Sequence, residues 1–214
     1  MTDTATDTAD RVEPSVHPLP EQAAFVFAHA LQGHMPLVLM DTDTYHRMGD
    51  AGLFADKRVE LVGGTLLDMQ PISQKHNYRV QYITDALKSC LGKNATVFSQ
   101  SPIRINDFSE PQPDIVVLYP PIERYSERHV QPEDILLIIE IARSTLRADR
   151  TVKLELYARA GIAEYWIANL TDGQLETHRQ PDPTRGHYRE TTIHYPDEQV
   201  APQAFADCQL AWFN

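Results

Sequence analysis

The chain has 214 residues, of which 42% are hydrophobic and 23% are charged, a composition that excludes collagen-like and generally disordered proteins. No run approaches the roughly 18 apolar residues that a membrane-spanning helix needs, so no membrane association is expected. The net charge of −11 excludes a basic nucleic-acid coat protein, although a nuclease with a local positive cleft and metal ions remains compatible with it.

The N-terminal segment and the cysteines bear on domain organisation and location. Residues 1–19 are rich in Thr, Asp and Pro, and we expect a disordered acidic tail before a single domain over residues 20–214. The first residues lack the basic and apolar regions of a signal peptide, which favours a cytoplasmic location. Cys90 and Cys208 are too few for a disulfide framework, and we expect two thiols in a reducing compartment.

Apolar periodicity and turn residues predict the elements of the first half of the chain. Thr42 is expected to cap a short helix and Ser73 a long one, which Gly92 ends. Gly63-Gly64 between two short apolar runs is a hairpin signal. The predicted elements are helices at 21–31, 43–50 and 74–91 and strands at 58–62, 65–68 and 95–99.

The second half of the chain alternates strands with one further helix. The predicted strands are 103–105, 114–119, 135–141 and 163–170, with shorter strand-like pieces near 174–179, 187–194 and 209–213. The helix covers residues 146–160 and is followed by Gly161, a common stop signal. This order of elements predicts an α/β fold in which a central mixed β-sheet is flanked by α-helices.

Two central strands carry acidic residues in otherwise apolar surroundings. One antiparallel register pairs Asp114 with Glu140, Val116 with Ile138, and Leu118 with Leu136. Carboxylates with Cβ atoms about 4.5–5.5 Å apart repel unless one is protonated or a cation lies between them. A divalent cation such as Mg²⁺ would activate water and neutralise a phosphate there. The alternative is that each carboxylate marks a strand end and faces water.

The helix after the second strand places polar residues among apolar ones. With about 100° per residue, Asp149 and Lys153 fall inside the buried arc that Val152, Leu156 and Tyr157 define. One interpretation is a self-satisfied ion pair four residues apart. The other is that Lys153 points into the carboxylate site, where it orients a water molecule or stabilises the charge of a phosphoryl transition state.

These residues resemble those of a known nuclease superfamily. Pro113-Asp114 followed by Glu140 on an apolar strand is similar to the PD-(D/E)xK motif, and more narrowly the chain resembles the Uma-two family of restriction-type endonucleases. The resemblance covers roughly residues 42–180. The matching segments are 59–64 (VELVGG), 73–76 (SQKH), 113–115 (PDI), 139–141 (IEI) and, most specifically, 153–166 (KLELYARAGIAEYW).

The resemblance implies a restriction-endonuclease-like core, a Mg²⁺ site on Asp114 and Glu140 with Mn²⁺ as an alternative ion, and hydrolysis of DNA. The superfamily's lysine usually follows the glutamate by two residues, but Ala142 occupies that position here. The resemblance therefore implies that Lys153 takes the lysine's role. Glu60 resembles an additional acidic residue of such sites, and its alternative is a hairpin carboxylate in solvent.

Accessory residues are proposed with more than one interpretation. His76 lies in the first turn of the 74–91 helix and is either a site residue or a structural histidine. Asp149 is a second accessory candidate. Arg143, Arg147 and Arg150 are candidates for phosphate contacts, although a solvated basic face is an equal alternative.

Two functions from different classes follow from the sequence. The first is a Mg²⁺-dependent endonuclease with DNA as its substrate and partner, for which a homodimer is one arrangement. The second is a non-catalytic nuclease-fold module that binds DNA or protein, which the charge of −11 and Ala142 favour. A phosphoesterase or RNA nuclease is a third option, because metal–carboxylate chemistry does not select the sugar.

Overall fold

A computed structural model describes residues 29–30, 32–69 and 71–213 of the chain. The chain divides after residue 38, and residues 39–214 form the second unit. The predicted acidic tail over 1–19, and the predicted helix over 21–31 apart from residues 29–30, lie outside the described residues. None of the described helices has the length and apolar character that crossing a bilayer requires.

The second unit contains four α-helices and ten strands within its described residues. In chain order they are α1 (Thr42–Asp50), β1 (Val59–Val62), β2 (Thr65–Asp68), α2 (Gln74–Leu91), β3 (Thr96–Ser99), β4 (Ile115–Leu118), β5 (Ile135–Ala142), α3 (Leu146–Ala148), α4 (Leu154–Arg159), β6 (Glu164–Asn169), β7 (Gln174–Asp182), β8 (His187–His194), β9 (Gln199–Val200) and β10 (Leu210–Ala211). A π-helical segment, Asp149–Lys153, joins α3 to α4, and we call the continuous helix the 146–159 helix.

Six strands form one central sheet in the order β3-β4-β5-β6-β7-β8. Strands β5 and β6 are parallel, and the other neighbouring pairs are antiparallel. The predicted α/β fold with a mixed central sheet is thereby confirmed. Because both faces of β5 are covered, its sequence ILLIIEIA is apolar almost throughout rather than alternating.

Each face of the sheet has its own apolar core. On one face, Val80 and Leu87 of α2 pack with residues such as Ile139 and Trp166. On the other face, Tyr157 of the 146–159 helix packs with residues such as Ile138. The sheet is therefore enclosed between α2 and the 146–159 helix, and alternate residues of β5 serve opposite cores.

The N-terminal cap of α2 is the predicted residue, whereas the cap of α1 is not. Ser73 caps α2, since its Oγ accepts the His76 N–H at 3.2 Å. The cap of α1 is Asp41 rather than the predicted Thr42, because the Asp41 carboxylate accepts the Thr44 N–H at 2.8 Å. Thr42 is the first helical residue and is buried. A carboxylate at this position also complements the helix dipole.

The register between β4 and β5 agrees with the prediction at Val116 and departs from it at Leu118. Val116 pairs with Ile138 as predicted, but Leu118 pairs with Ile135 rather than Leu136, because a bulge shifts the ladder after Val117. The predicted strand 103–105 is also wrong. In the structure Ile103 forms an isolated bridge with Val130, on a segment that no regular periodicity marks.

The expectation of two free thiols is wrong, because Cys90 and Cys208 form a disulfide. Cys90 lies near the end of α2 and Cys208 just before β10, and folding brings their Cα atoms to 5.6 Å. That separation suits a disulfide, although the two cysteines are 118 positions apart in sequence. Sequence spacing alone cannot reveal a pair that only the packing of α2 against the C-terminal segment creates.

The buried Glu164 carboxylate connects β6 with β7 and with the C-terminal segment. It accepts hydrogen bonds from Trp166 Nε1 at 2.8 Å, Arg179 Nε at 2.8 Å and the Gln203 N–H at 2.6 Å. We expect Glu164→Ala to lower the free energy of unfolding by about 3–5 kcal/mol, because it leaves buried partners uncompensated. Chemical denaturation would measure the change.

The matched control is Glu155→Ala, which removes an acid from a solvent-exposed pair. Glu155 is 54% exposed and binds Arg159 at 2.8 Å. Exposed pairs contribute at most about 1 kcal/mol, so this variant should stay close to wild type. Equal losses in the two variants would contradict the role assigned to Glu164.

Candidate active site

Asp114 connects the start of β4 with the end of β5 and with α2. Its Oδ2 accepts the Ile141 N–H at 2.8 Å. The same oxygen lies 3.1 Å from His76 Nε2, in the first turn of α2. Antiparallel pairing of β4 and β5 therefore places Asp114 beside the strand end that carries Glu140, and His76 lies next to it.

Glu140 lies on β5 and is buried. Its Oε1 accepts hydrogen bonds from Lys153 Nζ and from the Tyr157 hydroxyl, each at 2.9 Å. Sequence reasoning did not include Tyr157 among the site residues. The available signal was its spacing, because a residue four positions after Lys153 lies on the same helix face.

Glu60 also belongs to this cluster. Its side chain on β1 is buried, and its Oε1 lies 3.6 Å from Lys153 Nζ. Its Oε2 accepts the Gln112 N–H at 3.1 Å. Glu60 is therefore not a solvent-facing hairpin carboxylate, and the hairpin β1–β2 contributes a third acidic side chain around Lys153.

The π-helical segment Asp149–Lys153 determines which side chains of the 146–159 helix face the site. The Leu154 N–H bonds to the Asp149 carbonyl five residues back, which adds a residue to that turn. The sequence-based helical wheel is consequently wrong for Val152, which is 46% exposed. Asp149 is buried, and the Lys153 side chain is only 12% exposed. Such turns are frequent at functional sites.

Burial changes the pKa values of two of the acidic side chains, Glu140 and Asp149. Burial raises the pKa of Glu140 to about 8, while Lys153 opposes the shift and Asp114 adds to it. Burial likewise raises the pKa of Asp149 to about 6, again against Lys153. Burial disfavours the Lys153 ammonium, but Glu140, Glu60 and Asp149 outweigh this effect and raise its pKa above the ordinary value. Lys153 is therefore protonated at neutral pH.

The donor set fits a hard divalent cation. Glu140, Glu60 and Asp149 act on Lys153, and Asp114 acts on Glu140, so these four carboxylates and one lysine carry excess negative charge when ionised. Within the described part of the chain, Asp149 Oδ2 and His76 Nδ1 are buried without a hydrogen-bond partner. Carboxylate oxygens are the ligands that Mg²⁺ prefers, and buried like charges favour a bound cation.

The three arginines occupy different environments. Arg143 and Arg147 are exposed near the start of the 146–159 helix. Arg150 instead forms an ion pair with Glu176, with Nη2 to Oε1 at 2.6 Å and Nε within 3.0 Å of both oxygens. A phosphate contact by Arg150 would therefore have to replace an existing bidentate pair.

Comparison with known proteins identifies the fold and the family of this chain. The fold is similar to that of a solved structure described as a putative nuclease belonging to DUF820 from Anabaena variabilis ATCC 29413, with a TM-score of 0.57 and 19% identity over 71% of this chain and 84% of that chain. The central sheet and its flanking helices thus form a nuclease-like fold. The model of the Uma2 family, described as "Putative restriction endonuclease", matches residues 42–212, and the chain belongs to that family. No curated protein matches the sequence.

Asp149 gives a test of the electrostatics through stability. Its pKa rises from 3.8 to about 6 in the folded protein, so its stabilising contribution is complete below pH 3.8 and is lost as pH rises through 6. Asp149→Asn has no carboxyl group to ionise, so the variant does not lose this stability as pH rises. In EDTA at pH 8, we expect the variant to be more stable than wild type by about 2–3 kcal/mol.

Denaturant unfolding between pH 4 and pH 8 measures this difference. The two proteins should converge towards pH 4, because the wild-type carboxyl is then largely protonated. The exposed variant Asp43→Asn serves as the control and should follow wild type at each pH. An Asp149→Asn protein that is less stable than wild type at pH 8 would contradict the raised pKa.

Proposed function

We propose that this protein is a Mg²⁺-dependent endonuclease that hydrolyses DNA phosphodiester bonds, with Mn²⁺ as an alternative ion. The observation that carries the proposal is the largely buried, protonated Lys153, which lies 2.9 Å from the Glu140 carboxylate and 3.6 Å from the Glu60 carboxylate. Membership of the Uma2 family, described as "Putative restriction endonuclease", supports the same chemistry.

Asp114 and Glu140 are the residues that would hold the metal ion. Within the described residues, the hydrogen bonds of Asp114 are at Oδ2 and those of Glu140 at Oε1. Asp114 Oδ1 and Glu140 Oε2 are therefore the oxygens left to accept a cation. When bound, a divalent ion supplies neutralisation of the phosphate charge and activation of a water molecule.

Lys153 acts as a cation and hydrogen-bond donor rather than as a base. Its raised pKa keeps the ammonium protonated at neutral pH. Lys153 Nζ lies 2.9 Å from Glu140 Oε1. From this position the ammonium can donate to a water molecule or to a developing negative charge on the phosphate. Tyr157 holds the Glu140 carboxylate from a second direction, and so positions it without touching the substrate.

A non-catalytic module that binds DNA or protein is the second candidate. The specific observation in its favour is that Lys153 and Tyr157 both bind Glu140, an arrangement satisfied without any metal ion. The net charge of −11 also weakens general attraction to nucleic acid. An RNA nuclease remains a third candidate, because the site shows no group that selects deoxyribose.

We expect Asp114→Asn, Glu140→Gln and Lys153→Met each to lower the rate of DNA cleavage by at least about 100-fold, because each removes a preorganised charge from the site. Nicking of a supercoiled plasmid in Mg²⁺ or Mn²⁺, with and without EDTA, measures the rate. The exposed variants Lys93→Ala and Asp43→Asn are matched controls and should cleave like wild type.

Parallel assays separate the three candidates. Unchanged cleavage in all three site variants would overturn the assignment of these residues. DNA binding without cleavage in either ion would support the non-catalytic module. Cleavage of a labelled RNA, but not of the corresponding DNA, would select the RNA nuclease.

Calorimetry with Mg²⁺ or Mn²⁺ tests the metal site directly. We expect wild type to bind and Glu140→Gln to bind at least about tenfold more weakly, because an amide oxygen carries no charge to attract the ion. Glu155→Gln, on the exposed surface, should bind like wild type. If wild type alone does not bind, the titration is repeated with a short non-cleavable DNA. Failure there too would contradict the metal site.

A further inference from the structure

A second group of metal-ligating side chains shares no residue with the cluster of Asp114 and Glu140. His46 comes from α1, Glu110 from the segment before β4, and His129 from the segment between β4 and β5. His46 Nε2 lies 3.0 Å from Glu110 Oε2, and His129 Nδ1 lies 3.9 Å from the same oxygen. The three ligand atoms lie within 4.8 Å of one another.

Glu110 is fixed at the centre of this group. Its side chain is 2% exposed, and its backbone N–H donates to the Leu61 carbonyl at 2.7 Å. Among the described residues, the ionic partners of Glu110 are the two histidines, with no lysine or arginine. The partners of this buried carboxylate are therefore imidazoles, whose ring nitrogens are also common metal ligands.

The two histidines are accessible from solvent. Their side chains are 41% exposed in His46 and 43% exposed in His129, and the ring centroids are 5.2 Å apart. An ion can therefore reach the buried carboxylate from outside.

We propose that His46, Glu110 and His129 form a binding site for a transition-metal ion, with Zn²⁺ as the expected ion. Two imidazoles and a carboxylate suit zinc, whereas sites made of carboxylates and water suit Mg²⁺. Tetrahedral zinc with bonds of about 2.0–2.2 Å holds its ligand atoms roughly 3.5 Å apart, so small side-chain rotations complete the set. A cavity of about 270 Å³ adjoins two of the three ligands, His46 and Glu110.

The site goes beyond the proposed nuclease chemistry, because none of its ligands belongs to the Asp114–Glu140 cluster. The bound ion would tie together three segments that are far apart in sequence: α1, the segment before β4 and the segment between β4 and β5. Its first consequence is structural, since an ion that binds only the folded state raises the stability of that state.

Zinc and cobalt titrations test the proposal on the full chain. We expect one Zn²⁺ per chain by calorimetry, a raised melting temperature, and a visible absorption band when Co²⁺ takes the same site. His46→Ala, Glu110→Gln and His129→Ala should each weaken binding by at least about tenfold. His129→Ala is the variant least expected to disturb folding, because this side chain is exposed on a loop.

Two control variants make the outcome decisive. His34→Ala alters another histidine pair, in which His29 and His34 approach to 2.9 Å, and should retain zinc binding. Glu140→Gln should also retain it, even where Mg²⁺ binding is lost. Absence of zinc binding in wild type, undiminished binding in the three ligand variants, or loss of binding in His34→Ala would overturn the proposal.

Discussion

The burial of Glu140 beside Lys153 is the interaction on which the rest of the site depends. A carboxylate inside an apolar strand is stable only when it is paired and hydrogen-bonded, and Lys153 and Tyr157 supply both requirements at 2.9 Å. The same burial raises the pKa of Glu140, so its ionised form is disfavoured, and a bound cation would stabilise that form. Regions that sacrifice stability in this way are typical of functional sites.

The scaffold makes this arrangement precise. Glu140 and the amide of Ile141 lie on a strand whose two faces are both covered, so neither can shift without disturbing a core. The Ile141 N–H fixes the Asp114 carboxylate, and Lys153 reaches Glu140 from a helix packed on one face. Site residues on strands and helices are held more accurately than residues on free loops.

Local chemistry made parts of this structure predictable. Ser73 capping α2, the hairpin at Gly63-Gly64, and the pairing of Val116 with Ile138 all follow from short-range patterns and a period of two. The features that were missed depend on assembly. The π-helical turn that exposes Val152, the bulge after Val117, and the disulfide all arise from how elements pack against one another. No window of the sequence contains that information.

The segment Glu110–Asp114 shows how a short stretch can serve two sites. Glu110 faces the histidines, the Gln112 N–H binds Glu60, and Asp114 accepts the Ile141 N–H, so every second residue contacts a different element. The two intervening prolines restrict φ and provide no N–H that could form competing hydrogen bonds. An ion held by Glu110 would therefore restrain a stiff segment whose other end positions Asp114. The sequence EPQPD thus joins the proposed zinc site to the proposed catalytic carboxylate through a short backbone segment rather than through a shared ligand.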